Sequence, residues 1–386
     1  MDIAKEWEKL KSAKRVVVKV GTSTLTHETG NLDLVRIELL VRQLVNLKNQ
    51  GREVVFVTSA AVGAGMGRLN LKERPSEISA KQALAAIGQG ILMHTYERFF
   101  GEFGIAVAQV LLTKDDLADR QRYLNARTTM RQIMAYGAVP IINENDTVAF
   151  DQIKVGDNDT LAAMVAGLVD ADLLVVLTDT DGLYTSDPRK DADAAHIPLV
   201  EGITPEIEAV AGGEGSKLAT GGTVTKIAAA RIAITQGIPM VLANGADRDC
   251  LQFLHDAAWE DITADGRIPG TLFLPNSQAL GSRKGWLAFS TRPAGAILVD
   301  DGASQALMEK GRSLLASGVL QVEGGFLRGE VVEIRQGAQT IARGITNYSA
   351  ADLTQIKGRH SNEFDAILGP GHEQEVVHRD NLSLWQ

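Results

Sequence analysis

The 386-residue chain has one cysteine, Cys250, which excludes an internal disulfide and a cysteine-rich zinc site. That scarcity fits a reducing cytosol, and a chain of this length can bury a large core without covalent staples. Long apolar runs are also missing. No window approaches the roughly 18 consecutive apolar residues of a spanning helix, and Met1–Lys14 is mixed and charged, without an apolar leader segment. A soluble, cytoplasmic protein with no membrane partner is expected. Basic charge is in short supply as well: 39 Lys and Arg face 48 Asp and Glu, a net charge of −9. Residues 271–386 hold 11 basic against 12 acidic side chains, which leaves 28 against 36 for residues 1–270. Neither part reads as a nucleic-acid binder on charge, and an acidic chain that binds anions must concentrate positive charge locally.

Several motifs are absent. No G-x-x-x-x-G-K-[ST] sequence occurs, the G-x-G-x-x-G spacing fails, and the seven histidines form no H-E-x-x-H pair. A P-loop enzyme, a dinucleotide fingerprint and a protein-held catalytic zinc are therefore not expected. There is no internal repeat or low-complexity tract.

What is present is a regular alternation over about the first 250 residues. Short β-branched runs at Arg15–Val20, Glu53–Thr58, Ile105–Leu111, Val139–Asn143, Leu173–Thr178 and Met240–Ala243 predict strands, several of them apolar throughout, as strands covered on both faces are. Between them, Asp33–Asn49, Ala80–Phe100, Arg120–Tyr136, Thr160–Val169 and Val224–Gln236 predict helices, with Gly51, Gly137 and Gly237 just past three of them as C-terminal caps. The order implies an α/β sandwich with a mainly parallel sheet. Near residue 270 the pattern changes. Residues 1–270 read as one domain, 271–283 as a linker, 284–368 as a small β-rich barrel-like domain, and 369–386 as a polar, peripheral tail.

Five segments could carry chemistry. In Val16–Ser23 a buried strand ends in Lys19 and then a hydroxyl-rich turn, and strand C-termini are where open α/β sheets bind ligands. A lysine in an apolar strand must pair with an anion or snorkel to solvent. In Val57–Gly65 a strand runs into small residues whose backbone N–H groups can approach an anion, with Ser59 adding a hydroxyl; a tight turn against a helix is the plainer reading. Pro140–Asp146 ends a strand in Asn143, Glu144, Asn145 and Asp146, and Gly156–Thr160 follows with Asp157, Asn158 and Asp159. Helix capping needs one such residue and not a cluster, which favours a functional role: gripping an ammonium, or orienting lysines by ion pairing. Val175–Tyr184, with Thr178 and Asp179, is adequately explained as a strand followed by an Asp-Gly turn. Gly212–Ser216 and Thr220–Lys226 form a glycine-rich loop that opens a helix and delivers Lys226 in its first turn, a geometry suited to phosphate. Arg127 and Arg131, one helical turn apart, read as surface residues.

Taken together, V-V-K-V-G-T-S-T-L, V-T-S-x-A-V-G-A-G, N-E-N-D, K-V-G-D-N-D, L-L-T-D-x-D-G-L-Y and T-G-G-x-x-T-K resemble the glutamate 5-kinase branch of the amino acid kinase family, in its order and spacing. The C-terminal part, with Arg328–Val331 and Ala342–Gly344, looks like a PUA domain, so the resemblance covers nearly the whole chain. It implies a three-layer α/β/α sandwich and ATP-dependent phosphorylation of the glutamate γ-carboxylate, opening proline synthesis, with proline as inhibitor and a homo-oligomer as the assembly. Lys19 and Lys226 would meet the ATP phosphates and Asp159 would hold both lysines. Ser59, Asn143, Asp146, Asp157 and Asn158 would bind glutamate. Thr178, Asp179, Thr220, Gly221, Gly222, Thr223, Val224, Thr225 and Lys226 would line the ATP site, with Mg2+ held mainly by the phosphates. RNA binding by the PUA-like part is not expected on charge. Two positions depart from the family pattern, Ala60 for glycine and Thr223 for methionine, and neither removes a catalytic group.

Overall fold

The computed structural model describes residues 3–27, 29–149, 157–189, 191, 193–211, 221–255, 268–275, 293–369 and 371–384. Contacts divide the chain into two compact units, Met1–Asp116 with Gln121–Ala279, and Leu117–Arg120 with Leu280–Gln386.

In chain order the first unit carries α1 (Ile3–Lys9), β1 (Arg15–Val20), α2 (Thr22–Leu25), α3 (Leu34–Asn49), β2 (Glu53–Val57), α4 (Ala61–Arg68), α5 (Ile78–Gly101), β3 (Val107–Leu112), α6 (Lys114–Ala118), α7 (Arg120–Ala135), β4 (Val139–Glu144), α8 (Asp157–Leu168), β5 (Leu173–Thr178), β6 (Leu183–Tyr184), β7 (His196–Ile197), β8 (Leu199–Val200), α9 (Pro205–Ala211), α10 (Gly221–Thr235), β9 (Met240–Asn244) and β10 (Thr271–Phe273). Eight strands form one sheet in the order β3-β4-β2-β1-β5-β9-β10-β8. Every neighbouring pair is parallel except β9 and β10, which are antiparallel. The continuous apolar runs explain the centre of this sheet: β5 is buried at all six positions and β1 at five of six, as strands with helices on both faces must be.

The helices lie as their periodicity predicts. In α3, Asp33 caps the N-terminus by accepting from the Arg36 N–H at 3.0 Å, and Ile37, Leu40, Val41 and Leu44 form the buried stripe. α4 and α5 pack backbone to backbone through glycines. A Cβ on Gly65 would fall 2.1 Å from the Leu84 carbonyl oxygen, and one on Gly88 would fall 1.8 Å from that of Ala61. Arg127 and Arg131, read as surface residues, both pair with Asp170, at 2.5 and 2.8 Å, in the turn between α8 and β5.

The second unit is strand-rich. A five-stranded sheet has the order β13 (Val319–Gly324), β11 (Gly295–Val299), β14 (Val331–Gln336), β15 (Gln339–Ile345) and β17 (Leu382–Leu384), and β12 (Leu314–Leu315) pairs with β16 (Glu375–Val377). Phe326, Val332, Ile334, Tyr348 and Leu353 are among the residues of its own core.

Two expected boundaries are corrected. The linker expected over 271–283 begins inside the first unit: Thr271–Phe273 is a fully buried strand of the main sheet, because Thr271–Leu274 is apolar enough to be covered on both sides. Residues 276–283 lie outside the described residues. The tail expected to be peripheral from residue 369 instead supplies β16 and β17, with Val376 and Val377 fully buried. Burying each of these valines is worth about 1.5–3 kcal/mol, enough to hold a short segment whose neighbours are polar. No described helix is long and apolar enough to cross a membrane.

Candidate active site

The C-terminal ends of the central strands open into a cavity of about 600 Å³. Four loops shape it, and each begins where a buried strand runs out of apolar residues. β1 ends in Lys19 and Val20 and leads to Gly21, Thr22 and Ser23; β2 leads through Thr58 to Ser59 and Ala60; β4 ends at Asn143 and Glu144; β5 leads to Thr178 and Asp179. The turn after β2 is tight because Ala60 sits at φ +77°, a left-handed conformation that favours glycine, and this swings the first residues of α4 onto the cavity wall.

Lys19 and Asp159 lie at the floor. Lys19 does not snorkel: it is 4% exposed, and its ammonium lies 2.5 Å from Oδ1 of the fully buried Asp159. Asp159 sits in the first turn of α8, and its Oδ2 faces Lys226 at 3.4 Å and accepts from the Thr225 hydroxyl at 2.9 Å. One carboxylate therefore lies between two lysines that are 207 positions apart in the chain. Burial pushes the Asp159 carboxyl up, but Lys19, Lys226 and Thr225 outweigh it and hold the group below the usual carboxylate range. Burial pulls the Lys19 ammonium below its usual value, aided by Lys226 and opposed by Asp159. The floor is thus a partly compensated cationic site, and an added anion would favour the charged form of Lys19 further.

On the β4 and β2 side, Asn158 from α8 is wedged between strand ends. Its Nδ2 donates to the Thr58 carbonyl at 2.8 Å, Asn143 Oδ1 at 2.9 Å and Ser59 Oγ at 3.0 Å. Its Oδ1 is buried and has no hydrogen-bond partner among the described residues. Asp146 and Glu144 line the same end. On the β5 side, the Thr178 hydroxyl donates to Asp179 Oδ1 at 3.1 Å and Arg189 pairs with Asp179 Oδ2 at 3.2 Å. Burial raises the Asp179 carboxyl, and its hydrogen bonds together with Arg189 bring it below the usual range.

Of the residues expected at the site, Lys19, Ser59, Asn143, Asp146, Asn158, Asp159, Thr178, Asp179, Gly222, Thr223 and Lys226 all line this one cavity. Thr225 stands behind it, holding Asp159. Val224 is not among the lining residues: it is 46% exposed on α10, where a helix opening at Gly221 carries Thr223 and Lys226 on the cavity face and turns Val224 away. The α10 backbone begins at Gly221; Thr220, the side chain of Asp157 and the Gly212–Ser216 loop lie outside the described residues. Sequence reading missed Arg74 and Arg189, which also line the cavity from loops without a recognisable pattern, and Gln89, which stands behind Asn143; Tyr184, at the end of L-L-T-D-x-D-G-L-Y, lines the cavity from β6 without having been given a role. It missed too the β6–β7 hairpin, tied to β10 where Thr271 Oγ1 accepts from the Leu183 N–H at 2.7 Å and donates to the Ile197 carbonyl at 2.6 Å. Cys250 is remote from these residues in role: burial pushes its thiol up to about 12, the mark of an inert side chain.

Comparison with known proteins gives a consistent picture. Residues 14–244 match the amino acid kinase family and residues 295–368 match the PUA domain. The chain is 54% identical to the glutamate 5-kinase of Moorella thermoacetica over 374 residues, 97% of each chain. It is 51% identical to the glutamate 5-kinase of Caldanaerobacter subterraneus subsp. tengcongensis (96% of this chain, 98% of that one), and 50% identical to that of Carboxydothermus hydrogenoformans (98% and 99%). Among solved structures, UMP kinase from Bacillus anthracis superposes with a TM-score of 0.45 at 14% identity, over 69% of this chain and 97% of that one.

Proposed function

The chain belongs to the glutamate 5-kinase branch of the amino acid kinase family and carries a PUA domain after the kinase, and from that premise we propose that it transfers the γ-phosphoryl group of ATP to the γ-carboxylate of L-glutamate. The observation that carries this reading is the Lys19–Asp159–Lys226 arrangement at the floor of the cavity. In the reaction a γ-carboxylate oxygen bonds to the γ-phosphorus while the bond from that phosphorus to the ADP oxygen breaks, leaving glutamyl 5-phosphate and ADP. No base is required, since the nucleophile is ionised at neutral pH. Two anions must instead be brought in line and their repulsion neutralised, and fixed ammonium groups at the meeting point do this.

The sheet order supports a division of labour. Ser59, Asn143, Asp146 and Asn158 gather on the β2 and β4 side and suit an amino acid: the unpartnered Asn158 Oδ1 and the Asp146 carboxylate accept from its ammonium. We assign Asp157 to the same side on the family pattern alone. Thr178, Asp179 and the start of α10 lie on the β5 side and suit the nucleotide, with Thr220 completing that loop. Lys19 stands on β1 between the two sets. On the family pattern we place Mg2+ mainly on the ATP phosphates, and no step here passes through it.

The product would open proline synthesis, and proline, an amino acid with the same α-carboxylate and ammonium groups, would compete at the glutamate side. We place the enzyme in the cytoplasm as a homo-oligomer, with little or no RNA affinity in its PUA domain, given 11 basic against 12 acidic residues from 271 onward. The direct test is ATP-dependent glutamyl hydroxamate formation with hydroxylamine as trap, beside ADP release with glutamate, aspartate, acetylglutamate and UMP. Glutamate should be the preferred acceptor and proline should raise its KM. ADP release with UMP and none with glutamate would refute the assignment.

A further inference from the structure

α5 contributes nothing to the cavity wall, yet two of its side chains reach the groups that set the Asn158 amide. Its buried stripe is apolar at Leu84, Ala85, Leu92 and Phe99 but polar at Gln89 and, two turns on, at the Tyr96 hydroxyl. Gln89 Oε1 accepts from Asn143 Nδ2 at 2.8 Å, and Asn143 Oδ1 accepts from Asn158 Nδ2 at 2.9 Å. The Tyr96 hydroxyl and Thr58 Oγ1 share a 2.7 Å hydrogen bond, and the Thr58 carbonyl is another acceptor of Asn158 Nδ2, at 2.8 Å. Both routes end on the same NH2 group. The opposite end of that amide, Oδ1, is buried with no donor among the described residues.

An asparagine amide turned by 180° occupies nearly the same space, so only its hydrogen bonds decide which end faces a ligand. The wrong orientation would set an NH2 group against a substrate ammonium. Asn143 has the same ambiguity; the Glu144 backbone N–H, which can only donate, sets Asn143 Oδ1 toward itself at 2.9 Å, and Gln89 Oε1 holds that orientation by accepting from Asn143 Nδ2. Gln89 is 9% exposed, and its own Nε2 makes no hydrogen bond. Leucine or methionine would suit such a stripe better, so only the Oε1 acceptor accounts for glutamine there.

We propose that Gln89 is a positioning residue for the amino-acid substrate: through Asn143 it fixes the Asn158 amide with Nδ2 on the strand ends and Oδ1 toward the substrate ammonium. This rests on the glutamate reading given above. Q89L and Q89M remove the acceptor, whereas Q89E keeps an acceptor oxygen beside Asn143 Nδ2 while adding the burial cost of a carboxyl.

Steady-state kinetics on the full-length protein would show the difference. Q89L and Q89M should raise the glutamate KM about tenfold, the scale expected when a buried donor loses its partner, with kcat and the ATP KM held within about twofold. Q89E should be impaired less than Q89L, because the acceptor for Asn143 Nδ2 survives despite the added carboxyl. Glutarate, which lacks the ammonium, should inhibit parent and Q89L equally well. Methionine is close to glutamine in length, so Q89M serves if Q89L folds poorly. The proposal is overturned by an unchanged glutamate KM, by parallel damage to kcat and both KM values, by Q89E as impaired as Q89L, or by glutarate affinity falling with glutamate affinity. No glutamate-dependent ADP release from the unmutated protein would instead overturn the functional reading, and is told apart because it needs no variant.

Discussion

Asp159→Asn removes one charge and no heavy atom, which isolates the electrostatic contribution of this carboxylate. Asp159 is fully buried, with Lys19 at 2.5 Å and Lys226 at 3.4 Å. At an effective dielectric constant of about 20, unit charges at those separations attract by roughly 7 and 5 kcal/mol, gross values that the burial of the ions largely offsets. The measurable quantity is the loss when one partner of a buried pair disappears, about 3–5 kcal/mol, because Lys19 is then buried without a counterion. Guanidinium unfolding in the absence of ligands would read it as a lower midpoint. The pH dependence follows from the direction of the shift. Asp159 is held below the usual carboxylate range, so its contribution is present above that range and disappears as pH falls through the folded value. The two proteins should therefore differ most near neutrality and converge in acid. Lys19→Met in the Asp159→Asn background removes the stranded cation and should recover part of the lost stability without recovering activity. A loss under about 1 kcal/mol, or a double variant no more stable than Asp159→Asn, would show that the pair is not the coupled unit described.

Lys226→Ala should lower turnover by two or more orders of magnitude with a midpoint close to that of the parent, since Lys226 is partly exposed; near-parental turnover would remove its assigned role. Because burial sets the Lys19 ammonium of the ligand-free site below its usual value of 10.5, kcat/KM should decline on the alkaline side before that pH is reached, and a profile flat up to it would mean that the charged form is not needed. Gly88→Ala places a Cβ 1.8 Å from the Ala61 carbonyl oxygen and should cost about 1–3 kcal/mol or more, with a higher glutamate KM as the start of α4 shifts; parental stability would contradict the close approach of the two helices. Ala60→Gly relieves the strain of φ +77° and should stabilise by about 0.5–1 kcal/mol in thermal or denaturant unfolding, whereas destabilisation would contradict the left-handed turn.

The core of the first unit was legible because its strands are buried on both faces, and Val16–Val20 and Leu173–Thr178 can hardly be anything else. Where legibility failed, the segments were short or the signal was a single residue. β16 and β17 are three residues each, too short for alternation to register among polar neighbours. Thr271–Phe273 disappeared into the turn-rich stretch that follows it. Val224 was placed at the site because it lies inside T-G-G-x-x-T-K, which marks the segment and not the face of the helix on which a side chain falls. The Lys19–Asp159 contact spans 140 positions, and no local pattern encodes it; only the resemblance to a family joined the two. Gln89 left a trace, a polar residue in an apolar stripe, but the helix period alone reads such an exception as noise.

The sheet order accounts for the acidity of the unit that would bind two anions. β2 and β5 flank β1, and strands lie about 4.8 Å apart, so the ends that carry Ser59 and Thr178 are separated by roughly 10 Å with Lys19 between them. That span suits an amino acid held at one end and a triphosphate at the other, with the transferred group above β1. A single lysine on β1 is then the one strand-borne cation that both substrates can share. Lys226 approaches from α10 on the nucleotide side, and Asp159 beneath keeps the two ammonium groups from repelling each other apart before any anion arrives. Positive charge is needed at that one place only. Residues 1–270 can therefore remain strongly acidic, with 28 basic against 36 acidic side chains, and still form a local trap for phosphate.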